Sequence, residues 1–308
     1  METKRLIIFG GVIAAIVIGM SFFSPKLQIK ENSSQTKPIV SVSTFSLLEA
    51  SDAVAGDKLT INMIVPLGND PHMFSPNPTQ VADISKSALF IYNGAGFEIW
   101  AENLTKTLPK DTKIVDMSKH VTLMKSEHGE EGEVNNPHYW LDIDNMIKMT
   151  QALDGEFSKL SPANAALFHG NAAVYIGELQ KLKSEYSKGM AECQNRTLVS
   201  NHDAFGYLAH ANRLENVSVI GLSTDEQPSA KTIAQIIALV KERSIKTIFF
   251  EELVNDNVAQ TISHETGAKP QPLQPLENIS QDELKSHQTY LTLMRENLKK
   301  LREAMECR

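Results

Sequence analysis

A chain of 308 residues is long enough for two domains of about 100–200 residues each. Its 42% hydrophobic and 22% charged residues are ordinary for a globular protein. The formal net charge of −7 argues against nucleic-acid binding, which needs a basic face, and suits attraction of cations without locating a site.

Lys4 and Arg5 precede an apolar run from Leu6 to Phe23, the pattern of a secretory signal. The run is about 18 residues, near the lower limit for spanning a bilayer. Residues 1–23 therefore read as a signal peptide or an N-terminal membrane anchor, and both remain open because Gly19 and Ser21 make a poor cleavage site. No cysteine lies here to carry a lipid. In either case Lys4 and Arg5 stay cytoplasmic and the rest is exported. Residues 24–37 are polar and aperiodic, a flexible tether.

From Ile39 the pattern alternates. IVSVS (39–43) has the period-2 pattern of a strand, FSLLEASDAVAG reads as a helix ending near Gly56, and LTINMIV as a second strand. After a loop rich in Pro, Gly and Asn, Pro78 opens another helix, and LFIYNG is a third strand. Pro162–Glu192 reads as one helix of about 30 residues, roughly 45 Å long, a rigid spine between lobes. Beyond it the sequence predicts strands at RTLVSN, VSVIGL and IKTIFFEE. Between them come helices at AFGYLAHAN, SAKTIAQIIALVKER and NDNVAQTISHETG, and QDELKSHQTYLTLMRENLKKLREAME closes the chain as one terminal helix. The expected fold is α/β: two βα lobes with mainly parallel sheets, residues 38–160 and 193–308, joined by a connecting helix at 161–192. Export makes a Cys193–Cys307 disulfide plausible, with two unpaired thiols as the alternative.

Nine histidines are present. His169 and His287 fall in polar helical stretches and read as solvated, His264 lies near a helix end where a cation is mildly favourable, and His210 follows an apolar helix face; none of the four is expected as a ligand. His72, His138 and His202 differ, because each falls where a predicted strand hands over to a helix, two in the first lobe and one in the second, and carboxyl ends of strands line the ligand crevice of open α/β sheets. Neutral imidazole is a common transition-metal ligand. Pro71 and Pro137 stiffen the approach to two of the three rings, and Asp70, Asp142 and Asp203 stand near enough to orient them. A tetrahedral site would take one carboxylate, with Glu251, Glu252 and Glu277 as candidates. The alternative is that the three histidines cap turns and bond backbone carbonyls.

DPHMFSPNPTQVADISKSALFIYNGAGFEIW, NPHYWLD, SNHDAFGYLA and FFEE occur in that order. Together they resemble the metal-specific solute-binding proteins of ABC importers, the ZnuA/TroA-like family, from about Ile39 to the C-terminus. The resemblance implies two βα lobes on one long helix and metal ligands at His72, His138, His202 and Glu277. It also implies an extracytoplasmic protein, expected to be a monomer, that delivers metal to an ABC permease. Manganese-type members place an aspartate in the late loop and often a glutamate before DAFGY. Here PLQPLEN and His202 stand instead, which points to the zinc-type branch. Three imidazoles and one carboxylate suit Zn²⁺ better than Mn²⁺, although affinity order alone would also admit copper or nickel. The run from His120 to Asn135, with His120 and His128 among glutamates, reads either as a solvated acidic loop or as a shortened form of the family's metal-collecting loop. A zinc-dependent hydrolase is the rival class, but no H-E-x-x-H and no general base beside the ligands is evident. An adhesin or extracellular metal buffer would share the same site. Affinity should fall below about pH 6.5 as imidazoles protonate, and the long helix should keep lobe movements small.

Overall fold

Two four-stranded parallel sheets form the frame of the protein in the computed structural model, which describes residues 37–126, 134–222, 224, 226–251 and 257–308. The apolar run Leu6–Phe23, His128 and Glu252 lie outside the described residues. Among those described, no helix is long and apolar enough to cross a membrane.

The first sheet contains β1 (Ile39–Val42), β2 (Thr60–Met63), β3 (Leu89–Tyr92) and β4 (Lys113–Asp116), in the order β2-β1-β3-β4. The second repeats that order with β5 (Thr197–Ser200), β6 (Glu215–Ser218), β7 (Thr247–Phe250) and β8 (Lys269–Pro272), as β6-β5-β7-β8. Strand order reverses between β1 and β3 and between β5 and β7, the points where open sheets leave a crevice at their carboxyl ends. All residues of β3 and β5 are buried, as expected of inner strands covered on both faces. The edge strand β6 begins at Glu215, ahead of the apolar VSVIGL, because its register is set by pairing of Thr197 with Glu215.

Helices α1 (Phe45–Ala55), α2 (Pro78–Ser85) and α3 (Ile99–Leu104) belong to the first lobe. The sequence reading passed over α3, β4 and the 18-residue α4 (Ile143–Leu160), although Met146, Met149, Leu153 and Phe157 form a buried stripe at helical spacing on α4. A 3₁₀ turn at Pro162–Asn164 leads into α5 (Ala165–Gly189), the spine. It spans 25 residues rather than about 30, because its first turn is 3₁₀ and the chain leaves the helix at Met190; Arg196 then donates to the carbonyls of Met190 and Ala191 just beyond the end. The second lobe carries α6 (Gly206–Ala211), α7 (Ala230–Glu242) and α8 (Asn257–Thr266).

The single terminal helix expected from Gln281 onward is two: α9 (Gln281–Lys285) and α10 (Tyr290–Ala304). His287 takes a left-handed φ of 55° between them and lies in a turn, not a helix. The Thr289 side chain accepts from Thr292 N, starting a new helix where the apolar stripe resumes.

One core runs from the first sheet through α1, α4 and α5 to α6 and α10, with Trp140, Phe168, Leu182, Phe205 and Tyr290 in it. It joins the two lobes across the spine. Smaller clusters cover the outer faces, around Phe90 and Ile84 in the first lobe and around Ile248 and Ile262 in the second. A Cys193–Cys307 disulfide ties the end of the spine to the C-terminus across a sequence separation of 114.

Candidate metal centre

The loop carrying His72 joins β2 to α2. Asp70 Oδ1 accepts the backbone N–H of His72 at 2.9 Å, while its Oδ2 accepts the Thr224 hydroxyl at 2.6 Å from the second lobe. Downstream, Asn77 and Gln80 form a reciprocal capping box at the start of α2, and Gln80 Nε2 donates back to Ile64 O. Both ends of the loop are thereby fixed.

His138 follows Asn136 and Pro137. Asn136 Oδ1 accepts the His138 backbone N–H at 3.0 Å and its ring Nδ1–H at 2.8 Å, which leaves Nε2 as the free lone pair. The 3₁₀ turn Tyr139–Leu141 is buried, with Tyr139 donating to Asn93 O and the Trp140 indole donating to Pro275 O. Asp142, expected among the orienting groups, instead accepts from Asp144 N and caps α4.

His202 stands at the carboxyl end of β5, where Ser200 Oγ donates to its carbonyl. Its ring Nδ1 bonds the Glu251 carboxylate at the end of β7. Asp203 turns away from the rings toward Asn216 and Ser126.

Glu277 follows β8 of the second sheet, but its segment is bonded to the first lobe. Phe45 N donates to Glu277 O, Gly68 N to Ile279 O, and Asn278 Nδ2 to the carbonyls of Pro66 and Asn69. Leu276, immediately before Glu277, adopts a left-handed φ of 58°.

These placements bring His72, His138, His202 and Glu277 together, with one donor atom from each within 4.8 Å of the others. His138 Nε2 is 3.0 Å from Glu277 Oε1, 3.4 Å from His72 Nε2 and 3.3 Å from His202 Nε2. Glu277 Oε1 is 3.3 Å from His72 Nε2 and 4.0 Å from His202 Nε2. A tetrahedron with bonds of about 2.0–2.1 Å has edges of about 3.3–3.4 Å; three of these five distances match it, one is shorter and the His202–Glu277 distance is longer. Phe97 walls the group, with its ring centroid 4.6 Å from that of His72 and 5.8 Å from that of His138.

Below Phe97 lies the fully buried Glu98. It accepts from Asn93 N, Asn93 Nδ2, Gly94 N and the Ser43 hydroxyl at the β1/β3 reversal. Gly94 has φ 74°, and a Cβ there would meet Asp116 Oδ1 at 2.0 Å, so only glycine fits. Glu98 thus ties the turn that carries Phe97 to the ends of β1 and β3. Sequence reasoning gave no role to Asn136, Phe97 or Glu98, although all three lie in the quoted motifs.

Burial opposes charge on His72, but the Glu277 carboxylate, helped by Asp70 and Glu251, outweighs it and raises its pKa to about 9. Burial lowers His138 and His202 to about 4, so both are neutral at neutral pH. Glu277 is also buried, yet His72 and His138 hold it well below the usual carboxylate range. Burial and the neighbouring Glu277 push Glu251 well above its ordinary value.

The remaining described histidines stay outside the group. His120, His169, His210, His264 and His287 are exposed, with His169 paired to Asp154. Among the described residues, the three histidines and Glu277 are the group of His, Cys, Asp or Glu side chains arranged to hold a metal ion.

Comparison with known proteins agrees with this geometry. The family model described as "Zinc-uptake complex component A periplasmic", ZnuA, matches residues 40–304. The chain belongs to the ZnuA family. It is 32% identical over 277 residues to the zinc-binding lipoprotein AdcA of Streptococcus pneumoniae R6, covering 86% of this chain and 55% of that protein. The chain thus spans about half the length of the streptococcal relatives it matches. It is 30% identical over 276 residues to the high-affinity zinc uptake system protein ZnuA of Bacillus subtilis 168, covering 86% of each. Among solved structures, the Zn(II)-bound ZnuA-like domain of S. pneumoniae AdcA matches with a TM-score of 0.77 at 31% identity, over 88% of this chain and all of that one. The laminin binding protein Lmb of Streptococcus agalactiae matches with a TM-score of 0.79 at 30% identity, over 87% of this chain and 99% of that one. The two repeated parallel sheets and the long spine are the ZnuA-family fold.

Proposed function

We propose that this protein binds Zn²⁺ outside the cytoplasm and delivers it to an ABC permease for uptake. The observation that carries the reading is the convergence of one donor atom each from His72, His138, His202 and Glu277 to within 4.8 Å of one another in a walled site. Membership of the ZnuA family and the zinc-binding names of its relatives support it. Three imidazoles with one carboxylate favour Zn²⁺ over Mn²⁺, which remains the competing cargo within the family. Residues 38–160 form the first lobe, 161–192 the connecting helix and 193–308 the second lobe, with Glu277 reaching back across to the first. The basic residues Lys4 and Arg5 and the apolar run after them would direct export, as a cleaved signal or as an anchor.

Four protein donors fill a tetrahedron and leave no position for a reactive water, so the arrangement favours carriage over hydrolysis. A single chain supplies every donor, so a monomer suffices. The test is metal analysis of protein purified without chelator, beside His138→Ala. The expected result is one zinc per wild-type chain and loss of most of it in the variant; an equal zinc content in both would refute the ligand assignment.

A further inference from the structure

Glu251 is a carboxylate that the four-donor arrangement does not use. It is 2% exposed, and among the described residues its one hydrogen-bond partner is His202 Nδ1. No lysine or arginine among the described residues pairs with it. A buried carboxylate without a cationic partner is costly unless a specific bond compensates. The same strand pair positions both groups. Ser200 of β5 is aligned with Phe249 of β7, and His202 and Glu251 each stand two residues farther along, at the carboxyl ends where the strand order reverses.

The three rings are held differently. Asn136 holds His138 through a neutral amide oxygen at 2.8 Å, Glu251 holds His202 through a carboxylate oxygen, and His72 Nδ1 has no hydrogen bond among the described residues. A ring whose far nitrogen donates to a carboxylate is fixed in one tautomer and is a stronger donor through the other nitrogen. His202 is also the donor that belongs to the second sheet alone, because the Glu277 segment is bonded to the first lobe.

We propose that Glu251 is a positioning residue for metal capture: its carboxylate accepts the His202 Nδ1–H and keeps the Nε2 lone pair facing the other three donors. The inference rests on the zinc reading above and names the residue that sets the strength of its second-lobe ligand. With zinc bound, the proton resides on His202 Nδ1 and the Glu251 carboxylate accepts it.

The test compares wild type, Glu251→Gln, Glu251→Ala and His202→Ala by competition for Zn²⁺ against a chromophoric chelator, with ¹⁵N–¹H spectra of the His202 ring in the zinc-loaded full chain. Wild type should show a protonated Nδ1 and a metal-bound Nε2. Glu251→Ala should weaken Zn²⁺ binding by roughly 10–100-fold. Glu251→Gln, isosteric and still able to accept through its amide oxygen, should recover part of that loss. A wild-type ring bound through Nδ1, or both Glu251 variants binding like wild type, would overturn the proposal. The ring spectrum decides even where a variant fails to fold. Failure of wild type to bind Zn²⁺, or undiminished binding by His202→Ala, would instead overturn the zinc reading.

Discussion

His72 Nε2 lies 3.3 Å from Glu277 Oε1, and the pair stabilises an imidazolium beside a carboxylate in the place where a metal ion would sit. Zn²⁺ must displace that proton. Because the His72 pKa is about 9, binding at pH 7 should release at least one proton, and affinity should weaken about tenfold per pH unit below 9. The onset therefore stands above the value of about 6.5 expected for an isolated imidazole, and the cause is Glu277. Calorimetry in buffers of different ionisation enthalpy measures the proton count; release of none would contradict the pairing.

The contribution of the three site histidines to the stability of the chelator-stripped protein should peak near pH 6.5. His72 is raised in the folded state, so its contribution is complete below the unfolded value of about 6.5 and is lost as pH rises through about 9. His138 and His202 are lowered to about 4, so their contribution is present above about 6.5 and is lost as pH falls toward 4. Urea midpoints from pH 4 to 9 should trace this maximum, and a monotonic rise to pH 9 would exclude the His72 contribution.

Asn136→Ala removes the acceptor that orients the His138 ring and the donor to Asp203 O. Zinc affinity should fall roughly 10–100-fold while one zinc per chain is still bound at saturation. Chelator competition reads both quantities, and unchanged affinity would show that Asn136 has no orienting role.

The Cys193–Cys307 bridge closes a loop across a separation of 114 residues. On the chain-entropy account, opening it should cost about 4–5 kcal/mol, within a usual range of roughly 0–5. Paired denaturation curves of the wild type and the Cys193→Ser, Cys307→Ser double variant measure the loss; identical midpoints would contradict it.

Zinc removal should move the lobes little. A common core joins them, and the Glu277 segment, the Trp140–Pro275 bond and the Asp70–Thr224 bond cross between them. Solution scattering should show nearly the same radius of gyration with and without metal; a change of several Å would contradict the shared core.

The alternation of strands and helices around Val42, Phe90 and Leu198 made the two-lobed α/β architecture legible, since buried parallel strands leave a strong local pattern. The break at His287 was not legible, because Gln281–Glu306 keeps an amphipathic pattern on both sides of one left-handed residue. Helix α4 was readable from its buried stripe and was passed over. The histidines at 72, 138 and 202 could be singled out because each stands in a loop. Proline flanks two of these rings. The contribution of Asn136, Phe97 and Glu98 depends on long-range contacts, such as Glu98 with Ser43 and Phe97 with His72, which no local pattern reports. The tie between Glu277 and the first lobe was likewise invisible, since its partners Phe45 and Gly68 lie more than two hundred residues earlier.

The most direct measurement is a competition titration of the metal-stripped protein with Zn²⁺ and Mn²⁺, followed by metal analysis of the bound fraction. The expected result is one Zn²⁺ per chain that equimolar Mn²⁺ does not displace. Preferential retention of Mn²⁺, or no tightly bound metal at all, would contradict the account.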